Sequence, residues 1–178
     1  MAWAPAASQT GFAAIQTQET LMRPVEVPAE PGSFLPGAQF ADAYATFVVG
    51  QSLTAMSAAE RAFGRAPPWI GRLLQLRNLL TALFGLKPGR LELDSAPGRV
   101  GIFPLLDRSD NRIVLGLDDR HLDFRLLVDV QNLGAGRQSV TATTFVRTHN
   151  LFGRAYLRVV LPFHRVIVKT MLAQAVRA

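Results

Sequence analysis

The sequence contains no cysteine in 178 residues, and only 18% of its residues are charged. The absence of cysteine excludes a disulfide framework, a thiolate metal site and a thiol nucleophile. The hydrophobic fraction of 49% excludes a disordered chain, because disordered chains combine low hydrophobicity with high charge. The three histidines are therefore the main candidates for proton transfer near neutral pH.

Long apolar runs are also absent. A membrane-spanning helix needs about 20 consecutive apolar residues. The closest segment, residues 156–172, is interrupted by Arg158, Pro162, His164, Arg165 and Lys169. The first residues lack the basic start and the apolar stretch of a secretory signal. We therefore expect a soluble cytoplasmic protein with no membrane insertion.

The length fits one domain that is large enough for a hydrophobic core. Residues 1–23 are rich in Ala, Gln and Thr and are interpreted as a flexible tail, so that residues 24–178 form the single domain. Several prolines follow, and their spacing blocks helix and central strand alike. We expect an extended lead-in there, followed by a first strand at residues 40–49.

Two helices are predicted next. Residues 52–64 form the first, in which Ser57 and Glu60 either form a capping box, whose spacing they have, or lie within the helix. Residues 69–86 repeat apolar side chains at helical spacing and form the second. From residue 90 the period changes to two, which indicates strands with one buried face at 90–94, 100–106, 112–118, 122–130 and 140–148.

Residues 151–176 return to a helical period. Grouped strands followed by a helix favour an α+β fold. We expect a curved antiparallel sheet of about six strands wrapped around this long C-terminal helix, with the two shorter helices after the first strand.

The apolar pattern also predicts strand register. A turn at residues 119–120 pairs Leu117 with Leu122, so that apolar residues meet on one face. Matching the apolar faces of the next hairpin pairs Phe124 with Val146. These registers gather five polar side chains at one end of the sheet, namely Asp118, His121, Asp123, Arg147 and His149.

This polar cluster has two interpretations. Imidazole beside carboxylate is suited to acid–base chemistry or to a divalent metal. The same residues are also explained as cross-strand ion pairs on a solvated face, which is the interpretation that we favour. Because the spacing matches no known metal motif, we expect no metal and no cofactor.

The final helix presents a second candidate site. His164 is the one polar residue on an apolar face that includes Leu157 and Val160. It either contacts a ligand between helix and sheet or makes a structural hydrogen bond in the core. The predicted ligand-binding residues are His164, Tyr156, Val160, Leu157 and Tyr44. Four basic residues lie on another face, which is either solvated or in contact with an anionic surface.

Three C-terminal segments carry a family resemblance: GLDDRHLDFRLLV at 116–128, VRTHNLFGRAYL at 146–157 and LPFHRVIVKTML at 161–172. With PGAQFADAY at 36–44, they resemble the bacterial domain of unknown function family numbered 2867, over roughly residues 24–174. That family is similar to the START-like, Bet v 1-like helix-grip superfamily, in which a cavity lies between the sheet and the C-terminal helix. The resemblance implies no catalytic residues.

Three functions follow as expectations. The first is binding of a small hydrophobic or amphipathic molecule in a cavity between sheet and helix. The second is an enzyme that uses a His/Asp acid–base pair in that cavity. The third is an interaction or assembly module, such as a homodimer. Nucleic-acid binding is not expected despite a net charge of +6, because the basic residues are scattered and not interleaved with aromatic residues.

Overall fold

Residues 23–27, 31–65, 68 and 98–177 are described by a computed structural model of the chain. The strands in these ranges are β1 (Arg23–Pro24), β2 (Phe40–Val49), β3 (Arg99–Val100), β4 (Phe103–Arg108), β5 (Arg112–Asp118), β6 (Leu122–Gly134) and β7 (Arg137–Thr148). They form one antiparallel sheet in the order β1-β2-β7-β6-β5-β4-β3.

The helices in the same ranges are α1 (Pro31–Phe34), α2 (Ala55–Phe63) and α3 (Leu151–Val176). The predicted α+β architecture, an antiparallel sheet with a long C-terminal helix, is confirmed. The sheet has seven strands rather than about six. The two-residue β1 leaves no alternating pattern in the sequence, and the strand predicted at 100–106 was wrong, because a turn with Gly101 at positive φ divides it into β3 and β4. The strand predicted at 90–94 and the helix predicted at 69–86 lie outside the described residues.

The ends of the helices are fixed by local hydrogen bonds. Before α2, the Thr54 side chain accepts a hydrogen bond from the Ser57 backbone N–H, and the Ser57 side chain accepts one from the Thr54 N–H. The capping box therefore begins at Thr54. Of the two alternatives for Ser57, the structure has the second, because Ser57 is the third residue of α2 and does not begin a box with Glu60. Before α3, the Asn150 side chain accepts from the Gly153 N–H.

The first predicted hairpin register was wrong by two residues. Leu117 pairs with Phe124 rather than with Leu122. A two-residue turn requires backbone that favours Gly or Asn, and the chain has neither there. The turn is longer, and it is closed by a hydrogen bond from the Asp119 N–H to the Leu122 carbonyl oxygen. Because the shift is two residues, every side chain stays on the predicted face.

The second hairpin has the predicted register. Phe124 pairs with Val146, and Asp123 pairs with Arg147. Beyond the last pair of the ladder, the His149 N–H donates to the His121 carbonyl oxygen at 2.9 Å. This hairpin therefore brings the two histidines side by side at the end of the sheet from which α3 begins.

Both faces of the sheet are partly buried, whereas the sequence pattern predicted only one buried face. The inner face packs against α2 and α3, so that Val128 and Val140 of the sheet share one core cluster with Leu172 of α3. The outer face carries a smaller cluster, in which Leu127 and Phe145 are covered by the lead-in through Leu35. The prolines of the lead-in hid this contact, because a segment without periodicity gives no burial signal.

Helix α3 is long and apolar enough to cross a membrane by length and composition, with a mean hydropathy of 1.3 over its most apolar 18 residues. In the structure it instead packs on the sheet through Val168, Met171 and Leu172. This packing is consistent with a soluble protein. Only 22% of that apolar window is buried, so much of the helix surface faces outward.

Candidate functional site between the sheet and the final helix

The predicted polar cluster is divided by the structure into separate interactions. Asp123 is 3% exposed and accepts from Arg147 Nη2 at 2.5 Å and from His149 Nε2 at 2.9 Å. Asp118 instead pairs with Arg125, with its two oxygens 2.5 and 3.1 Å from the guanidinium nitrogens. Three of the five predicted residues therefore form one group.

The remaining member, His121, turns towards the start of α3. Its Nδ1 lies 2.9 Å from the side-chain nitrogen of Asn150, and its ring packs edge-on against Phe152 with 4.9 Å between centroids. His121 thus belongs to the junction between the hairpin and the helix and not to the Asp123 group.

The Asp123 group has the properties of a structural ion pair. Burial acts to raise the pKa of Asp123, but hydrogen bonds from His149 and Arg147 outweigh it, and the pKa lies below its usual range. Arg147 also donates to the Pro36 carbonyl oxygen at 3.2 Å, which ties the lead-in to the sheet. Among the described residues, no group of three His, Asp or Glu side chains is arranged to hold a metal ion.

A second His–Asp pair lies between β2 and α3. His164 Nε2 is 3.0 Å from Asp42 Oδ1, and both side chains are largely buried. The Phe40 ring packs edge-on against the His164 imidazole, with 5.7 Å between centroids. The carboxylate therefore orients the imidazole in an apolar setting, where the hydrogen bond is stronger than it would be in water.

This second pair leaves polar atoms unsatisfied. Asp42 Oδ2 and Thr46 Oγ1 are both buried, and neither has a hydrogen-bond partner among the described residues. Asp42, Tyr44 and Thr46 are each two residues apart along β2, so their side chains lie on the same face, the inner face of the sheet. A buried acceptor without a partner costs about 1–3 kcal/mol, which makes Asp42 Oδ2 an exception that needs an explanation.

Tyr44 lies between these two residues. Burial raises the pKa of its phenol, and the neighbouring Asp42 carboxylate raises it further, against an opposing effect from Arg165. Lys169 Nζ lies 5.5 Å from the centre of the Tyr44 ring, in cation–π contact. The phenol therefore stays protonated and neutral at physiological pH.

Asp42 was missed by the sequence analysis. Its neighbours in FADAYAT are mostly alanines, so the apolar pattern does not reveal which face of the strand is buried. The available signal was the even spacing of positions 42, 44 and 48, which places Asp42 on the same side of the strand as Tyr44 and Val48.

The region that holds both His–Asp groups matches a known family model. The model described as "Protein of unknown function (DUF2867)" matches residues 34–171. The chain belongs to this family. No curated protein matches the chain. The matched region of this DUF2867 chain runs from the lead-in to α3, so it includes Asp42, His164 and the Asp123 group.

The other predicted ligand-binding residues of this DUF2867 chain lie nearer the start of α3. Tyr156, Leu157 and Val160 are each half-buried, between one and two helical turns before His164. An open recess of about 430 Å³ lies elsewhere, on the outward side of the last turns of α3 and not beneath His164. It is lined by Lys169, Thr170, Ala173, Gln174 and Arg177.

Proposed function

We propose that this DUF2867 protein binds a small amphipathic molecule between the sheet and α3, with the polar end of the molecule at Asp42 and His164. One observation carries the proposal: Asp42 Oδ2 is buried without a hydrogen-bond partner among the described residues. An ammonium or hydroxyl group placed there would satisfy the oxygen with a charge-assisted hydrogen bond.

The surroundings of Asp42 support this choice of ligand. The aromatic side chains of Phe40 and Tyr44 flank Asp42 on the inner face of β2, and the Phe40 ring packs on His164. Ligand sites are mostly apolar and contain a few oriented polar groups. The proposed START-like relationship points the same way, because a helix-grip protein of that kind would hold its ligand between sheet and final helix.

Native mass spectrometry of mildly purified full-length protein tests the proposal. We expect a copurified small molecule on the wild type and its loss from D42N, in which an amide replaces the unsatisfied carboxylate. D118N is the matched control, because Asp118 is an exposed carboxylate that pairs only with Arg125 in the described structure. Equal ligand masses on all three proteins would contradict the proposal.

Calorimetry with defined probes gives a second test that does not depend on copurification. Decylamine, decanol and decanoate share an apolar chain and differ at the polar end. We expect binding of the amine or the alcohol, no binding of the carboxylate because of its repulsion by Asp42, and loss of binding in D42N. Binding of decanoate alone would contradict the assigned polarity.

An acid–base enzyme is the second candidate function, and the hydrogen bond between Asp42 and His164 favours it. A carboxylate that holds one nitrogen of an imidazole leaves the other available for proton transfer. In a substrate panel this function predicts turnover that H164Q abolishes while the ligand mass is retained. A bound molecule recovered unchanged after long incubation would favour binding alone.

A further inference from the structure

The outward side of α3 carries two parallel stripes of different chemistry. One stripe is apolar, and its large members are well exposed: Val159 at 62%, Phe163 at 50% and Val166 at 56%. Leu151, at the start of the helix, is 77% exposed. Soluble proteins scatter single exposed apolar residues, whereas an exposed row on one helix marks an interaction surface.

The second stripe is basic and runs beside the first. Its members are spaced by four or seven residues, so they follow one side of the helix, and all are exposed: Arg154, Arg158, Arg165 and Lys169. Lys169, which also contacts the Tyr44 ring, lies where this stripe borders the sheet. Helix α3 contains no Asp or Glu. The outward side therefore combines exposed apolar side chains with positive charge that no acidic residue of the same helix offsets.

We propose that this outward side of α3 docks on the surface of an anionic lipid bilayer, with the helix lying in the plane of the interface. Helices that bind in this way place an apolar face at the boundary of headgroups and acyl chains and hold basic residues against anionic headgroups. The buried side of α3 stays on the sheet, so docking requires no change in the fold.

Charge complementarity distinguishes this partner from two others. A second copy of the chain would bring the same basic stripe and no acidic residue from its own α3. A nucleic acid would match the charge, but Val159 and Val166 offer no flat surface on which bases could stack, and Phe163 alone is no platform for successive bases. Anionic lipid matches both stripes together.

Vesicle sedimentation with the full-length chain tests the inference. Vesicles of phosphatidylcholine with about one third phosphatidylglycerol are compared with vesicles of phosphatidylcholine alone. We expect the protein to sediment with the anionic vesicles and to be released by high salt. Equal sedimentation with both vesicles, or with neither, would overturn the inference.

The basic stripe is tested with R154Q/R158Q. Each Lys or Arg near an anionic surface strengthens binding by about fivefold, so we expect the loss of two to lower partitioning by about 25-fold. R108Q/R137Q is the matched control, because it removes two exposed arginines on the sheet and gives the same net charge. An equal fall in both variants would show that total charge rather than this face drives binding, and would overturn the inference.

The apolar stripe is tested with F163S/V166S, which should weaken binding by about tenfold. F47S/V49S is its control, because Phe47 and Val49 on β2 are exposed to a similar degree. Size-exclusion chromatography and urea unfolding accompany both. A wild-type dimer that F163S/V166S dissociates, or a large loss of folding stability in that variant, would mean that another copy or another part of this chain covers the stripe, and would overturn the inference.

Discussion

The two His–Asp groups of this protein look alike in composition and differ in how far they are satisfied. Asp123 has both oxygens occupied, by Arg147 on one and by His149 and the Asp119 N–H on the other. Asp42 has one oxygen on His164 and one with no partner among the described residues. A completed group stabilises a fold, whereas an incomplete buried group retains a hydrogen-bond acceptor with no partner among the described residues.

Sequence patterns alone would rank the Asp123 group above the Asp42 pair as a candidate site, and this difference reverses that ranking. The Asp123 group contains more titratable residues, yet its geometry is that of a structural element that links two strands and the lead-in. The Asp42 pair is smaller, and it is the one whose carboxylate keeps an oxygen without a hydrogen-bond partner among the described residues. The unsatisfied atom, rather than the number of charged residues, identifies the candidate site.

The largest expected effect comes from D123A. Removing this carboxylate leaves Arg147 and His149 without their buried partner, so we expect the free energy of unfolding to fall by about 3 kcal/mol in urea denaturation. D118A is the control, because Asp118 is 64% exposed, and its loss should cost less than about 1 kcal/mol. Similar costs for the two variants would show that the Asp123 group is not structural.

A smaller effect is expected from D42A, measured on protein that native mass spectrometry shows to be free of ligand. The variant loses one hydrogen bond to His164 and also removes the unsatisfied Oδ2. The two contributions oppose each other, so we expect a change of less than about 1 kcal/mol. A loss as large as that of D123A would mean that Asp42 is completely satisfied, and the contrast between the groups would disappear.

The pH dependence of stability provides a third comparison. The pKa of Asp123 is lower in the folded state than its ordinary value of 3.8. Its contribution is therefore fully present above that value and is lost as the pH falls through the folded pKa. Urea midpoints should fall below about pH 4 in the wild type and change less in D123A over the same range. Parallel profiles would show that other carboxylates cause the acid sensitivity.

The smallest expected effect concerns a third unsatisfied atom. Thr143 Oγ1 is buried without a partner among the described residues, on the outer face near Phe145. T143V keeps the shape and removes the hydroxyl, so we expect a gain of up to about 1 kcal/mol in thermal unfolding. T46V should behave in the same way without ligand and should lower ligand affinity if Thr46 contributes to the site. A destabilised T143V would indicate a partner for its hydroxyl.

Much of the fold could be predicted from alternation and helical spacing. The register predicted for the second hairpin was correct. Both of its strands have a clear apolar face, so the register that matches these faces pairs Phe124 with Val146. For the first hairpin, the predicted faces were correct but the predicted register was wrong by two residues. The alternation of apolar residues shows which side chains share a face, but it does not show how long the turn is. The two-residue strands, the short helix α1 in the predicted extended lead-in and the burial of Leu35 were missed, because these segments are too short to show a period.

The candidate site was predicted in part. His164 was identified because a lone polar residue interrupts an apolar helix face, and this signal is visible in the sequence. Its partner Asp42 was missed because 122 residues separate the two positions and no local pattern connects them. Pairing between a strand and a distant helix depends on tertiary packing, which one sequence does not specify locally.

The two-residue strands at either end of the sheet have a consequence for aggregation. An edge strand presents unpaired backbone groups that can recruit another chain. Here one edge is β1, which ends in Pro24, and the other is β3, which begins with Arg99. Proline lacks the N–H that an added strand would need as a hydrogen-bond donor. A charged side chain on an edge strand opposes pairing, because a second chain would have to displace the water around it. These two edge strands are therefore themselves poor templates for β-pairing between molecules.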